Sequence, residues 1–287
     1  MRVLVSGASG SVGRAVCGGL LAGGVQVRAL TRDRGRVGLP SGVEVVVGDL
    51  AEPASVAAAL EGVERMYLFP VPGAAGEVVA AAGRAGVRRI VTLSSGAVTA
   101  GYDTVHHLVV EQAVEAGGVE WTHVRPGEFA MNKVALWGPD IRGARVVRHP
   151  APEAVWCPVH ERDIADVAVA ALLEDGHHGV AYTLNGPPVS VREQARAVGE
   201  ALGEEVRFEK VTPEQARRRY REQGGFAAAA ADFLLGFVDH AGNPTDPEAM
   251  AHFDVTAFGP QPTIYDITGA PPRTFTQWAR DHVADFR

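Results

Sequence analysis

The sequence predicts a doubly wound parallel α/β sheet followed by a smaller C-terminal lobe. Three observations carry that expectation. Short β-branched runs alternate with alanine-rich stretches of helical length as far as Arg125. The short runs are apolar throughout, the pattern of strands covered on both faces. A glycine-rich turn stands directly after the first run and opens the first helix.

Taken in order, Val3-Leu4-Val5 is the first strand, and Val12 to Ala22 the helix that follows it. Further strands are expected over Val25 to Thr31, Val43 to Val47, Met66 to Phe69, Ile90 to Leu93 and Trp121 to Val124. Helices are expected over Ala54 to Leu60, Gly76 to Ala85 and Val105 to Ala116. Right-handed crossovers then build the doubly wound order. Beyond Pro126 the rhythm loosens. A helix is expected over Asp163 to Glu174, with Tyr182-Thr183-Leu184 returning to the sheet. Two helical stretches follow Pro187, the alanine run Ala227 to Ala231 is helical, and a Gly/Pro-punctuated tail runs to Arg287. The expected division is a nucleotide-binding domain over 1–130 and 160–185, and a substrate lobe over 131–159 and 186–287.

The 287 residues are 46% hydrophobic and 21% charged, enough to bury an ordinary core. A net charge of −7 argues against a nucleic-acid partner, which would need a concentrated basic face. The run Arg217-Arg218-Arg219-Tyr220-Arg221 is read as a solvated helix face. Two cysteines, Cys17 and Cys157, fit a reducing compartment. The first strand starts at Arg2, and no apolar run approaches the length of a membrane span. A cytoplasmic monomer or homodimer, off the membrane and acting on a small molecule, is therefore expected.

The strongest local signal is Ser6-Gly7-Ala8-Ser9-Gly10-Ser11-Val12-Gly13. Gly7 suits a tight turn, Gly10 lets the backbone approach a pyrophosphate, and Gly13 lets the helix pack closely on the sheet. Ser9, Ser11 and Val12 complete the turn at a helix N-terminus, where anions are favoured. Together these make a Rossmann dinucleotide site. Arg32 ends the second strand and offers a partner for the 2′-phosphate of NADP, whereas Asp33 one position later would suit the ribose hydroxyl of NAD. NADP is the expected cofactor and NAD the alternative. Asp49 and Leu50 follow the third strand, with Asp49 placed to accept a bond from adenine.

These residues resemble the NmrA-like branch of the atypical short-chain dehydrogenases/reductases. The turn is similar to the family's GATGxxG motif, and Val27-Arg28-Ala29-Leu30-Thr31-Arg32 to its second strand. Three further stretches carry the likeness: Ala82 to Ser95, Trp121 to Asn132, and Ile267 to Phe275 with Trp278 and Ala279. The resemblance implies a Rossmann fold, NADP(H) and, in many members, reduction of quinones or azo compounds. Other members only sense the cofactor.

The wider superfamily uses a Tyr-x-x-x-Lys pair, which is missing here. Aligning Glu111 and Gly118 with the family pattern puts His107 at the lysine position and Asp103 at the tyrosine position. A shift of one residue gives Tyr102-x-x-x-His106 instead, and both registers stay open. His107 is the leading candidate for holding the ribose or relaying a proton, with Tyr102 and Ser95 as further catalytic candidates. Ser94 is expected near the cofactor, while Gly96 stands where the superfamily often carries its catalytic serine. Phe69 and Pro70 are expected beneath the nicotinamide. Phe129, Met131, Asn132, Trp137 and His160 are expected to line a mostly apolar substrate pocket. A metal site at the adjacent His106 and His107 is disfavoured, because neighbours cannot share one helix face. The expected activity is NADPH-dependent hydride transfer to a small quinoid, azo, imine, enone or carbonyl compound. The alternatives are a non-catalytic NADP(H) sensor and a lyase or isomerase with bound NADP.

Overall fold

The computed structural model describes residues 1–36, 38–239, 242–248 and 264–287, which fall into two compact units. Of the tail expected after Pro187, residues 249–263 lie outside the described residues.

The first unit comprises Met1–Pro126, Glu161–Leu184 and the segment carrying Ile264–Thr268. Its strands are β1 (Arg2–Val5), β2 (Gln26–Thr31), β3 (Glu44–Val47), β4 (Arg65–Leu68), β5 (Arg89–Leu93) and β6 (Glu120–Pro126). The second unit contributes β7 (Val146–His149) and β8 (Val155–Trp156), after which β9 (Val180–Leu184) returns to the first. The second unit also holds β10 (Val189–Ser190) and β11 (Arg207–Lys210). Seven strands of the first unit form one sheet in the order β3-β2-β1-β4-β5-β6-β9, every neighbouring pair parallel. The chain thus reverses direction across the sheet between β1 and β4, the place where doubly wound sheets open a crevice at their carboxyl edge.

Helices of the first unit are α1 (Ser11–Ala22), α2 (Ala57–Leu60), α3 (Ala75–Arg84), α4 (Gly96–Thr99) and α5 (His107–Glu115). In the second unit lies α6 (Asn132–Ala144), and α7 (Glu161–Leu173) returns to the first. One face of the sheet packs Leu4, Met66, Leu68 and Ile90 against Val78, Val79, Val110 and Val114 of α3 and α5. On the other face α1 lies against α7.

Three arginines sit inside otherwise apolar strands. Arg28 donates to the carbonyls of Ala59 (2.9 Å) and Glu61 (2.8 Å) at the end of α2. Arg65 donates to the Leu172 carbonyl, and Arg89 to those of Ala171 (3.2 Å) and Glu174, at the end of α7. The last carbonyls of a helix have no partner within it and carry partial negative charge, so buried guanidinium groups there are satisfied rather than stranded. This fastens helices to the edge of the sheet opposite the crevice.

The second unit adds α8 (Val191–Leu202), α9 (Pro213–Gln223) and α10 (Gly225–Leu234); α12 (Phe275–Asp281) belongs to it as well. Its core gathers Trp137, Ile141, Val147, Val198, Tyr220 and Trp278. The helix α6 was not expected from the sequence, because Pro139 lies inside it. Proline has no N–H to offer the Ala135 carbonyl one turn earlier, and the side-chain amide of Gln223 donates to that carbonyl instead. The short strands β7, β8, β10 and β11 were likewise not expected; they pair β11 with β7 and β10 with β8. The arginine run lies on a largely solvated helix face, as expected, and is ion-paired there: Arg217 and Arg221 hold Asp232, and Arg219 holds Asp140.

One expected boundary needs correction. The sequence assigns everything after residue 186 to the lobe, yet α11 (Ile264–Thr268) belongs to the first unit. Its Ile264 is buried and the helix packs on α7, so the burial of one apolar side chain decides its allegiance.

Gly13 shows how tightly the first helix meets the turn before it. A Cβ at this position would stand 2.3 Å from the Gly7 carbonyl oxygen. Gly13→Ala should therefore destabilise the protein by about 1–3 kcal/mol, the usual cost of overpacking. Chemical denaturation tests it, and an unchanged midpoint would mean that the turn can give way freely.

Candidate functional site

The turn between β1 and α1 is built by its own backbone. Gly7 has φ +62°, in the left-handed region, and its carbonyl accepts from the Gly10 amide at 3.0 Å. A Cβ on Gly7 would meet Phe69 at 2.9 Å. Ser6, fully buried, ties the turn to the neighbouring strand: its hydroxyl donates to the Tyr67 carbonyl (3.0 Å) and accepts from the Phe69 amide (2.8 Å). Ser9, Gly10 and Ser11 are exposed, while Val12 points into the core. Side chains at positions 7 or 13 would fill the cradle, so these residues fit a pyrophosphate approached by backbone at a helix N-terminus.

Around the turn, Arg32 is exposed just past β2. The Asp33 carboxylate accepts from the Gly35 amide at 2.8 Å, a turn of its own. Asp49 accepts from the Ala51 amide at 2.9 Å, and Leu50 is buried. Phe69 is partly exposed beside Gly7, with Pro70 buried behind it.

The carboxyl ends of β5 and β6 carry a buried polar network. Ser94 donates to Glu111 Oε1 at 2.5 Å. Arg125 donates to Oε1 at 2.9 Å and to Oε2 at 2.5 Å, a bidentate pair. Its Nη1 reaches Thr99 at 3.3 Å, and the Thr99 hydroxyl lies 2.6 Å from that of Thr183. Burial alone would raise the Glu111 carboxyl, but the bonds from Arg125 and Ser94 outweigh it and hold it below the usual glutamate range. Glu111, Glu115 and His123 bring ligand atoms within 4.8 Å of one another. Both Glu111 oxygens, however, already hold a guanidinium, which would repel a second cation at that carboxylate.

At the start of α5, His107 Nδ1 lies 2.6 Å from Asp103 Oδ2. The same carboxylate accepts the amides of His106 (2.9 Å) and His107 (3.2 Å), capping the helix. Asp103 is 8% exposed. Burial opposes its charge, yet the bonds from the His107 ring and the two amides keep its carboxyl below the ordinary aspartate range. His106 has its ring edge-on to that of His107, 4.7 Å between centroids, and burial together with the charge of His107 pushes its pKa down. Tyr102 is exposed and its amide donates to the Ala97 carbonyl at 2.8 Å.

Several sequence candidates stand in other roles than expected. The Ser95 hydroxyl caps α4 by accepting from the Ala97 amide at 3.2 Å, and the Ser94 hydroxyl is turned to Glu111. In the second unit, Trp137 is a core side chain at 2% exposure, covered on one face by Lys133 at 4.6 Å. His160 is 1% exposed and faces Asp281 at 3.3 Å. Both were expected to line a pocket, and both are almost fully buried. Phe129, Met131 and Asn132 are half-buried at the entry to α6. Sequence reasoning passed over Ser6, Glu111 and Arg125 as functional groups. The spacing Asp103, His107, Glu111 was the available signal, since residues four apart share a helix face.

Fold and turn together define a dinucleotide-binding α/β protein. The chain belongs to the NAD(P)H-binding family, whose profile matches residues 7–175. It is 36% identical to the (4-alkanoyl-5-oxo-2,5-dihydrofuran-3-yl)methyl phosphate reductase of Streptomyces griseus and 31% identical to the NAD(P)H azoreductase of Xenophilus azovorans, over 99% of each chain in both cases. Among solved structures it is similar in fold to the Citrobacter sp. triphenylmethane reductase (TM-score 0.78, 20% identity, 99% and 100% of the two chains covered). The negative transcriptional regulator NmrA shares the fold too (TM-score 0.68, 18% identity, 99% and 95% covered).

The Glu111 network yields a stability prediction. Glu111→Gln leaves the partly buried Arg125 without its counter-charge and should cost about 1.5–3 kcal/mol at neutral pH. Because the folded-state pKa is depressed, the carboxylate's contribution is present above the unfolded value and is lost as pH falls through the folded one. The gap between parent and variant in urea titrations should thus narrow on acidification below the glutamate range. A gap that stays constant or widens there would show that Glu111 is not held ionised.

Proposed function

We propose that this protein is an NADPH-dependent reductase of small, conjugated, electron-poor molecules. The observation that carries this reading is the pairing of the glycine cradle with Arg32. Asp33 spends its carboxylate on the Gly35 amide, which leaves Arg32 as the group offered to the adenosine ribose. A guanidinium suits a 2′-phosphate, so NADP(H) is preferred over NAD(H). Both named relatives that cover the whole chain are reductases, one of an unsaturated lactone ester and one called an azoreductase, in line with an acceptor of this class.

When bound, the dinucleotide supplies a hydride. The chain's part is to bind, orient and complete the reduction. The backbone amides of Ser9, Ser11 and Val12 would hold the pyrophosphate, Asp49 the adenine, and Phe69 with Pro70 would flank the nicotinamide end. His107 is the proton-handling group, and Tyr102, exposed four residues before His106, is its neighbour at the same edge. Such acceptors gain their electrons as hydride, so the missing Tyr-x-x-x-Lys pair is no obstacle. Cofactor sensing without turnover is the second reading, favoured by one observation: the Ser95 hydroxyl is engaged in capping α4. Two buried free thiols agree with a reducing, cytoplasmic setting, and no described helix is long and apolar enough to cross a membrane.

Two outcomes test this reading. Arg32→Ala should weaken NADPH binding by about 1.5–3 kcal/mol and leave NADH nearly unchanged; equal losses in a binding titration would remove Arg32 from the phosphate. His107→Ala should lower turnover by about ten- to a thousandfold, while His106→Ala, about 100° around the helix, should do far less. Steady-state rates compare the two, and a larger loss from His106 would favour the Tyr102-x-x-x-His106 register.

A further inference from the structure

We infer that Asp103 is a positioning residue for His107, and that the two form a carboxylate–imidazole dyad in which Nε2 is the nitrogen that exchanges protons. The inference rests on the reductase reading for its chemistry and on the geometry of α5 for its existence.

Asp103 stands at the position a catalytic tyrosine would occupy in one of the two registers, yet no phenol chemistry is open to it. Its carboxylate is instead held on three sides: the amides of His106 and His107 donate to it, and the His107 ring nitrogen Nδ1 lies 2.6 Å from Oδ2. Its own amide donates to the Ala97 carbonyl at 3.1 Å, fixing the backbone from which it projects. A buried carboxylate satisfied in this way is an acceptor only, so the ring must present an N–H at Nδ1. That choice leaves Nε2 as the nitrogen available to a reacting molecule. An imidazole at the end of a mobile side chain would sample both tautomers and several orientations. Here the contact from Asp103, four residues earlier in the loop ahead of α5, restricts both.

The step balances without a further reagent. The acceptor takes two electrons and one hydrogen as hydride and becomes an anion. His107, made an imidazolium by a solvent proton taken up at Nε2, gives that proton to the anion and returns to the neutral Nδ1–H ring, so each turnover consumes one solvent proton. Beside the dyad stands the titratable ring of His106, just ahead of α5, 4.7 Å from that of His107 between centroids. Sequence spacing alone shows that Asp103 and His107 can meet; only the structure shows that they do so with the helix cap and the tautomer set by one carboxylate.

The dual use of Asp103 also provides the test. Asparagine caps helices about as well as aspartate, so Asp103→Asn keeps the cap but replaces an obligatory acceptor with a group that can also donate. With 15N-labelled histidine, the ring of His107, assigned through His107→Gln, should show the Nδ1–H tautomer in the parent. In Asp103→Asn the Nε2–H tautomer should appear. With NADPH and 2-cyclohexenone or menadione as acceptor, the variant's kcat should fall at least tenfold while KM changes less than threefold. Asp103→Glu should not restore the rate, because the longer side chain displaces the carboxylate. An unchanged tautomer in Asp103→Asn would overturn the inference, as would an unchanged kcat in a protein whose turnover depends on His107. If the parent reduces none of the acceptors, the reductase reading falls, and the tautomer measurement by itself decides whether Asp103 sets His107.

Discussion

The contact between Gly13 and the Gly7 carbonyl constrains everything built above it. It draws the first helix so closely against the turn before it that no side chain fits between them, at the carboxyl edge of the sheet. Ser6 extends the same constraint sideways. One hydroxyl, bonded to the Tyr67 carbonyl and the Phe69 amide, keeps β1 and β4 in step where the chain reverses direction across the sheet. The phosphate cradle and the segment that flanks it are therefore parts of a single rigid feature rather than two loops that happen to be near.

Opposite that edge, arginines do the fastening. Arg28, Arg65 and Arg89 project from strands into the carbonyl ends of helices, where their charge is complemented by the helix dipole. At the active edge the charges are carboxylates instead. Glu111 locks the ends of β5 and β6 through Ser94 and Arg125, and Asp103 sets the first turn of α5. A frame pinned from below leaves the upper edge free to carry chemistry on short loops.

How much of this the sequence made legible depends on whether the signal was periodic. Every strand of the large sheet was visible, because parallel strands covered by helices are short runs rich in β-branched and apolar residues, and the glycine spacing announced the turn. Helix α6 was hidden by Pro139, whose missing hydrogen bond is answered by Gln223 from 84 positions further on. The allegiance of α11 to the first unit was hidden for the same reason, since it depends on a partner far away in the chain. Within the site, position alone could not choose between Arg32 and Asp33, and nothing in sequence showed that the Asp33 carboxylate accepts the Gly35 amide. The register on α5 was ambiguous because Tyr102 and Asp103 are adjacent, and hydroxyls such as those of Ser94 and Ser95 reveal nothing in sequence about which way they point.

Hydride delivery from NADPH to carbon is the chemistry on which the proposed function turns. It is tested most directly with the two stereospecifically deuterated forms of NADPH and a panel of unsaturated lactones and triarylmethane cations, each of which accepts hydride at carbon. Mass spectrometry should find one deuterium in the reduced product from one of the two forms, with oxidised cofactor produced in equal amount. Tight NADPH binding with no deuterium transferred to any acceptor would contradict the claim and leave a protein that senses its cofactor.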